Sequence, residues 1–138
     1  MDIQGTWYNE LGSTMVINPV ANGQVTGTYT TAVSSTGCAQ GSFTLVGRTD
    51  TDTAGEGVGF VVNWKNNQAD CESVTAWSGQ AQTINGEDQI NAFWLLTVES
   101  APDQDWYATH VGQDVFTRTA PSKEQVAKKL KTTRRSNP

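Results

Sequence analysis

The sequence predicts an all-β fold, an eight-stranded antiparallel up-and-down β-barrel built as a simple meander. Three observations predict it. Thirteen glycines, abundant Thr and Ser, and a hydrophobic content of 36% suit short strands and tight turns better than helices. Eight strand-like runs recur at near-regular spacing, joined mostly by hairpin-length connections. Three successive runs each carry a tryptophan, and Trp77 alternates with bare hydroxyls, which suits an aromatic-walled cavity better than a solid core. At 138 residues the chain is one domain by size. Closure removes the exposed edges of an open sheet, and eight strands leave room inside for one small ligand. A β-sandwich is the alternative architecture, and the short connections favour the meander.

Gly5-Thr6-Trp7 opens the first strand, over about 5–10, and Gly12 separates it from the second, over 13–18. Asn18-Pro19 and Asn22-Gly23 are turn signals leading into the third, over 24–31. A long polar loop, Ala32–Gly41, precedes the fourth, over 42–49, and a second, Asp50–Gly55, precedes the fifth, over 57–65. In the fifth, alternation puts Val58, Phe60, Val62 and Trp64 on one side. In the sixth, over 73–82, it groups Ser73, Thr75 and Trp77. Asn85-Gly86 turns the chain into the seventh, over 89–98, where Trp94 shares a side with Ile90 and Ala92. The eighth, over 107–118, aligns Asp114, Phe116 and Arg118, which brings Arg118 within reach of Trp7 as a cation–π plug at the closed end. The barrel is therefore expected within 1–122. Residues 123–138 form a basic tail in which Val126–Leu130 has the makings of one helical turn but, being Lys-rich with two apolar residues, is not expected to dock, so the tail is expected to be solvated and disordered.

Charge is divided between body and tail. Of the nine basic residues, six (Lys123, Lys128, Lys129, Lys131, Arg134 and Arg135) lie in 123–138, leaving three for the rest. Of the fourteen acidic residues only Glu124 lies there, leaving thirteen. So acidic a body argues against nucleic acid as the main partner, and no apolar run approaches the roughly 18 residues that span a bilayer as a helix. The two cysteines, Cys38 and Cys71, form no Cys-x-x-Cys pair, and His110 is the one histidine, so no metal cluster is expected. A disulfide between Cys38 and Cys71 is favoured over two free thiols. It implies an oxidising compartment, periplasmic or extracellular, and would stabilise by roughly 3–4 kcal/mol on the chain-entropy account.

At Gly5-Thr6-Trp7-Tyr8-Asn9-Glu10-Leu11-Gly12-Ser13-Thr14 the chain resembles the avidin and streptavidin family. The likeness continues through Thr26-Gly27-Thr28-Tyr29, Leu45-Val46-Gly47-Arg48, Asn63-Trp64-Lys65-Asn66-Asn67, Trp77-Ser78-Gly79-Gln80, Trp94-Leu95-Leu96-Thr97 and Val111–Thr117, over roughly residues 3–122. The resemblance implies an eight-stranded barrel that binds biotin as a ligand, with no cofactor and no catalysis. It implies that Asn9, Ser13 and Tyr29 converge on the ureido oxygen, that Asp114 accepts from one ureido N–H, and that Thr31, in place of a family serine, accepts from the other. Thr75 would face the ring sulfur, and Trp64, Trp77 and Trp94 would wall the bicycle. Ser73 would bind the valerate carboxylate. Ser35 stands where the family has an asparagine in the lid loop. A Cys38–Cys71 bridge would tie that lid, a feature similar to that of dimeric bacterial members. Trp106 matches a tryptophan that enters a neighbouring subunit's pocket, which implies a homotetramer, a homodimer being the alternative.

Residue by residue, the ordinary readings are that a strand tryptophan is core, Asp114 a surface acid or turn residue, His110 a surface or interface residue, and the Asp103/Asp105 pair solvated in a loop. Arg48-Thr49-Asp50 resembles a short adhesion motif and is weak support for a receptor role. Two other functions compete. A lipocalin-like carrier of a small apolar ligand would share the Gly-x-Trp start, but would leave Asn9, Ser13, Tyr29 and Asp114 unpaired. A hydrolase using Asp114 with Ser13 or Tyr29 lacks a histidine partner to activate the nucleophile.

Overall fold

A computed structural model of the chain describes residues 1–32, 34, 36–50, 56–132 and 134–138. Eight strands, β1 (Gly5–Tyr8), β2 (Thr14–Ile17), β3 (Gln24–Thr30), β4 (Ser42–Thr49), β5 (Gly57–Lys65), β6 (Asp70–Ile84), β7 (Glu87–Val98) and β8 (Thr109–Thr117), close into one barrel. Each pairs antiparallel with its sequence neighbour, and β8 returns to β1 through Tyr8↔Thr117. The predicted meander is therefore the observed fold. Asn22, Gly23, Asn85 and Gly86 all take positive φ, the backbone state that tight hairpin turns require and that these residues tolerate.

The pleat sends alternate residues inward. Val58, Phe60, Val62 and Trp64 of β5 are buried, as are Ile90, Ala92, Trp94 and Leu96 of β7. At the closed end Trp7 is buried and donates its indole N–H to the Ile3 carbonyl at 2.8 Å. The Arg118 guanidinium lies 3.7 Å from the centroid of the Trp7 ring and donates to the Gln4 and Asp2 carbonyls at 2.9 and 3.0 Å, as the alternation in β8 predicts.

Three differences from the sequence expectation have local causes. β1 stops at Tyr8 because the Asn9 side-chain oxygen accepts from the Leu11 and Ser13 amides (3.0 and 2.9 Å), turning the chain. β8 starts at Thr109 because a 3-10 helix, Pro102–Tyr107, takes the preceding residues, with Pro near its first position. After the barrel, a helix α1 (Lys123–Leu130) forms, longer than the single undocked turn expected there. Its Ser122 hydroxyl accepts from the Gln125 amide (3.1 Å), and the Gln125 side chain accepts from the Ser122 amide (2.8 Å). No residue of α1 is buried, yet Ser136, Asn137 and Pro138 beyond it are.

Candidate functional site

The polar end of the interior is built from the β1–β2 turn, β3, β6 and β8. Asn9 and Ser13 are buried on either side of the turn that Asn9 itself caps. The Asn9 amide nitrogen donates to the Tyr29 hydroxyl at 3.3 Å. The Ser13 hydroxyl lies 3.4 Å from that of Thr31 and accepts from the Ala32 amide at 3.1 Å. Across the barrel, the Trp77 indole N–H donates to Asp114 Oδ2 at 2.8 Å, and the Trp64 indole N–H donates to Thr75 Oγ1 at 2.8 Å. Each tryptophan thus has its polar edge tied down and its face turned to neighbouring rings.

Those rings form one aromatic wall. Tyr29 stacks on Trp77 (centroids 5.3 Å apart, planes at 29°) and meets Trp64 edge-on at 5.6 Å. Phe60 stacks behind Trp77 at 4.8 Å, and Phe43 meets Trp64 at 5.1 Å. Trp94 is buried on β7, and its ring lies over Gly112 of β8, where an added Cβ would fall 2.2 Å from a ring carbon. Gly112 is therefore needed for the indole to lie flat against β8.

Several buried polar atoms have no hydrogen-bond partner among the described residues: Ser73 Oγ, Trp94 Nε1 and Asp114 Oδ1. Unpartnered polar atoms of this kind are costly in a protein interior and suit a site that completes them with a ligand. Burial raises the Asp114 carboxyl above its ordinary value, opposed by the Trp77 indole N–H, Glu10 and Ser136. Burial, with the Asp114 charge, pushes the neighbouring Glu10 carboxyl from 4.5 up to about 8. Burial and the same charge hold the Tyr29 hydroxyl well above its usual range, so it remains a neutral donor. No group of three or more His, Cys, Asp or Glu among the described residues is placed to hold a metal ion.

The sequence-predicted residues Asn9, Ser13, Tyr29, Thr31, Trp64, Ser73, Thr75, Trp77, Trp94 and Asp114 all line or border this interior. Ser35 lies outside the described residues. Trp106 does not join them; it stands 75% exposed on the 3-10 helix, stacked on Tyr107 at 3.9 Å. Cys38 and Cys71 form a disulfide that ties the loop after β3 to β6. Sequence reasoning missed two features. Glu10, whose carboxyl side chain accepts from the Val115 amide at 3.2 Å, sits beside Asp114. Its signal was an acid directly following a buried turn residue. The other is the segment Ser136–Pro138: Thr75 donates to the Ser136 carbonyl at 2.5 Å, and Ser34 donates to the Pro138 oxygen at 2.5 Å. Polar residues in a basic tail carry no burial signal, although Ser122 followed by Gln125 was a legible helix start.

Comparison with known proteins finds the same pattern elsewhere. The sequence profile of the avidin family matches residues 1–119. The chain is 39% identical over 128 residues to avidin of Gallus gallus, covering 88% of this chain and 81% of avidin. It is 32% identical over 115 residues to afifavidin of Afifella pfennigii, covering 83% of this chain and 68% of that protein. Avidin-related protein 4/5 of Gallus gallus is 37% identical over 123 residues, covering 84% of this chain and 77% of its own length.

Proposed function

The chain belongs to the avidin family, and from that premise we propose how its interior performs the non-catalytic biotin binding of the family. The neutral ureido group enters first. Asn9, Ser13 and Tyr29 surround its oxygen, Asp114 accepts from one N–H and Thr31 from the other. Three donors draw charge onto the ureido oxygen, and a carboxylate opposite stabilises the positive end, so these hydrogen bonds are charge-assisted. Trp64, Trp77 and Trp94 enclose the bicycle, Thr75 meets the sulfur, and Ser73 takes the valerate carboxylate. The low-polarity surroundings strengthen each bond, and strands already hold the donors, so little ordering opposes binding.

The observation that carries this reading is Asp114. One carboxylate oxygen is bound by an indole N–H and the other, buried, has no hydrogen-bond partner among the described residues, beside the Asn9–Tyr29 pair. A carrier of a purely apolar ligand would leave it so. Calorimetric titration with biotin is expected to give one site per chain. A folded chain that releases no heat and displaces no pocket dye overturns the reading.

The assembly we propose is a homotetramer, with Trp106 entering a neighbour's pocket. Its exposure supports this, as do Phe93, Leu95 and Val111, exposed on the outer faces of β7 and β8. We assign the protein to a secreted or periplasmic location, where the Cys38–Cys71 bridge would persist.

A further inference from the structure

We propose that the pocket has a second ligand, the segment Ser136-Asn137-Pro138 of the same chain, and that this segment competes with biotin. The competition rests on the biotin reading above; the segment's own contacts do not.

A stretch carrying Lys128, Lys129, Lys131, Arg134 and Arg135 has little apolar reason to fold back on the barrel. Its last three residues are nevertheless buried, two of them polar. Polar groups leave water only where partners replace it. The partners here belong to the site. Thr75, already holding the Trp64 indole, donates to the Ser136 carbonyl, and Ser34 of the lid loop donates to the Pro138 oxygen. The Ser136 hydroxyl lies close enough to Asp114 and Tyr29 to lower both their pKa values. The segment brings the pocket both polar atoms, at Ser136 and Pro138, and the apolar ring of Pro138.

The tether explains occupancy without strong affinity. Helix α1 and Arg134 flank a groove against Glu10, Gln113 and Val115, so the chain leading to the segment runs beside the β1–β2 turn and the outer side of β8. A short linker raises the local concentration of a tethered ligand to about the millimolar range. The fit itself is imperfect: Ser136 Oγ and Arg135 Nε are buried without a hydrogen-bond partner among the described residues. Such a ligand is present in the resting protein and yields to a better one, so biotin sees only the fraction of chains whose pocket is open.

The test uses the full chain and its Ser136→Glu variant, in which a second carboxylate facing Asp114 drives the segment out. Biotin association is followed by tryptophan fluorescence. The native chain is expected to show an observed rate that levels off at high biotin, limited by opening. The variant is expected to show a rate linear in biotin and, at the same biotin, about tenfold or more faster. An N-acetylated, fluorescently labelled peptide of residues 132–138 is expected to bind the variant and to be displaced by biotin. Equal rates in the two chains overturn the proposal. So does a peptide that fails to bind even at the millimolar concentration the tether supplies, since the segment would then obstruct the mouth without being recognised. If neither chain binds biotin while the peptide binds the variant and protects the Trp77 fluorescence from quenching, the segment's recognition stands and the biotin reading alone fails.

Discussion

Asp114 works with two different oxygens. One is held by the Trp77 indole, which fixes the carboxylate plane; the other is left for whatever enters the barrel. Glu10 stands beside it, its carboxyl pushed up by burial and by the Asp114 charge. Its carboxyl titrates near 4.5 when unfolded and at about 8 in the barrel, so the folded state holds a proton that the unfolded state releases between those values. The stability that goes with this proton is complete below about pH 4.5 and is lost as pH rises through about 8. Glu10→Gln, neutral throughout, is expected to leave Tm nearly unchanged at pH 4 and to raise it by on the order of 5 °C at pH 9. Thermal scans at the two pH values check this, and an equal gain at both would refute the assignment. Ser73 gives a second residue-scale prediction. Its buried hydroxyl has no partner among the described residues, so Ser73→Ala is expected to cost roughly 1–2 kcal/mol with free biotin and less with biotin conjugated through its carboxylate. Competition titrations with the two ligands decide it, and equal losses would remove Ser73 from the valerate end. At this scale Thr75 and Trp77 were legible from alternation, because they share one face of a strand whose period is two, whereas Asp114, by itself an ordinary surface acid, needed both its alternation with Phe116 and the family motif to be read as inward-facing. Glu10 was not legible, because its burial comes from the close packing of β8 across the turn, a contact between residues 105 apart.

Among the elements, the loop between β3 and β4 bears most directly on ligand exchange. Cys38 fixes it to Cys71 at the start of β6, and Ser34 within it already grips a group at the barrel mouth. A tethered lid has fewer open conformations to visit, so the bridge is expected to slow escape more than entry. Reduction is expected to raise the biotin off-rate by about threefold to tenfold; stopped-flow or exchange measurements on verified dithiol protein check this, and an unchanged off-rate would remove the role. Strand positions were readable because turn residues such as Asn22-Gly23 and Asn85-Gly86 punctuate them. Their ends were less so. β6 runs from Asp70 to Ile84, longer than its alternating stretch, because its pairing with β7 continues down to Ile84↔Glu87 at the hairpin tip. Ladder hydrogen bonds extend a strand beyond the part that packing demands.

At the scale of the whole molecule, the outer surface is as informative as the interior. Phe93, Leu95 and Val111 occupy outward positions on adjacent strands, in register Phe93↔Gln113 and Leu95↔Val111, and form an apolar patch that a lone barrel leaves wet. Trp106 and Tyr107 add a second apolar surface at the rim. Multi-angle light scattering is expected to report four chains per particle for the native protein, and Trp106→Ala is expected to accelerate biotin release by about tenfold or more. A dimer with and without biotin would leave Trp106 without its proposed place. The sequence contained Trp106 but no geometry for it, since burial against another copy leaves no trace in one chain's periodicity.

The barrel's circumference is stitched unevenly. Where β6 and β7 are zipped over twelve register pairs, β1 meets β8 through one, and the join is finished by Arg118 clasping the carbonyls of Asp2 and Gln4 and lying on Trp7. The cylinder thus has a seam, fastened at one end by the Arg118 guanidinium and at the other by the Glu10 carboxyl on the Val115 amide. Pulled apart or heated, the barrel is expected to part along that line before the long hairpins on the far side give way.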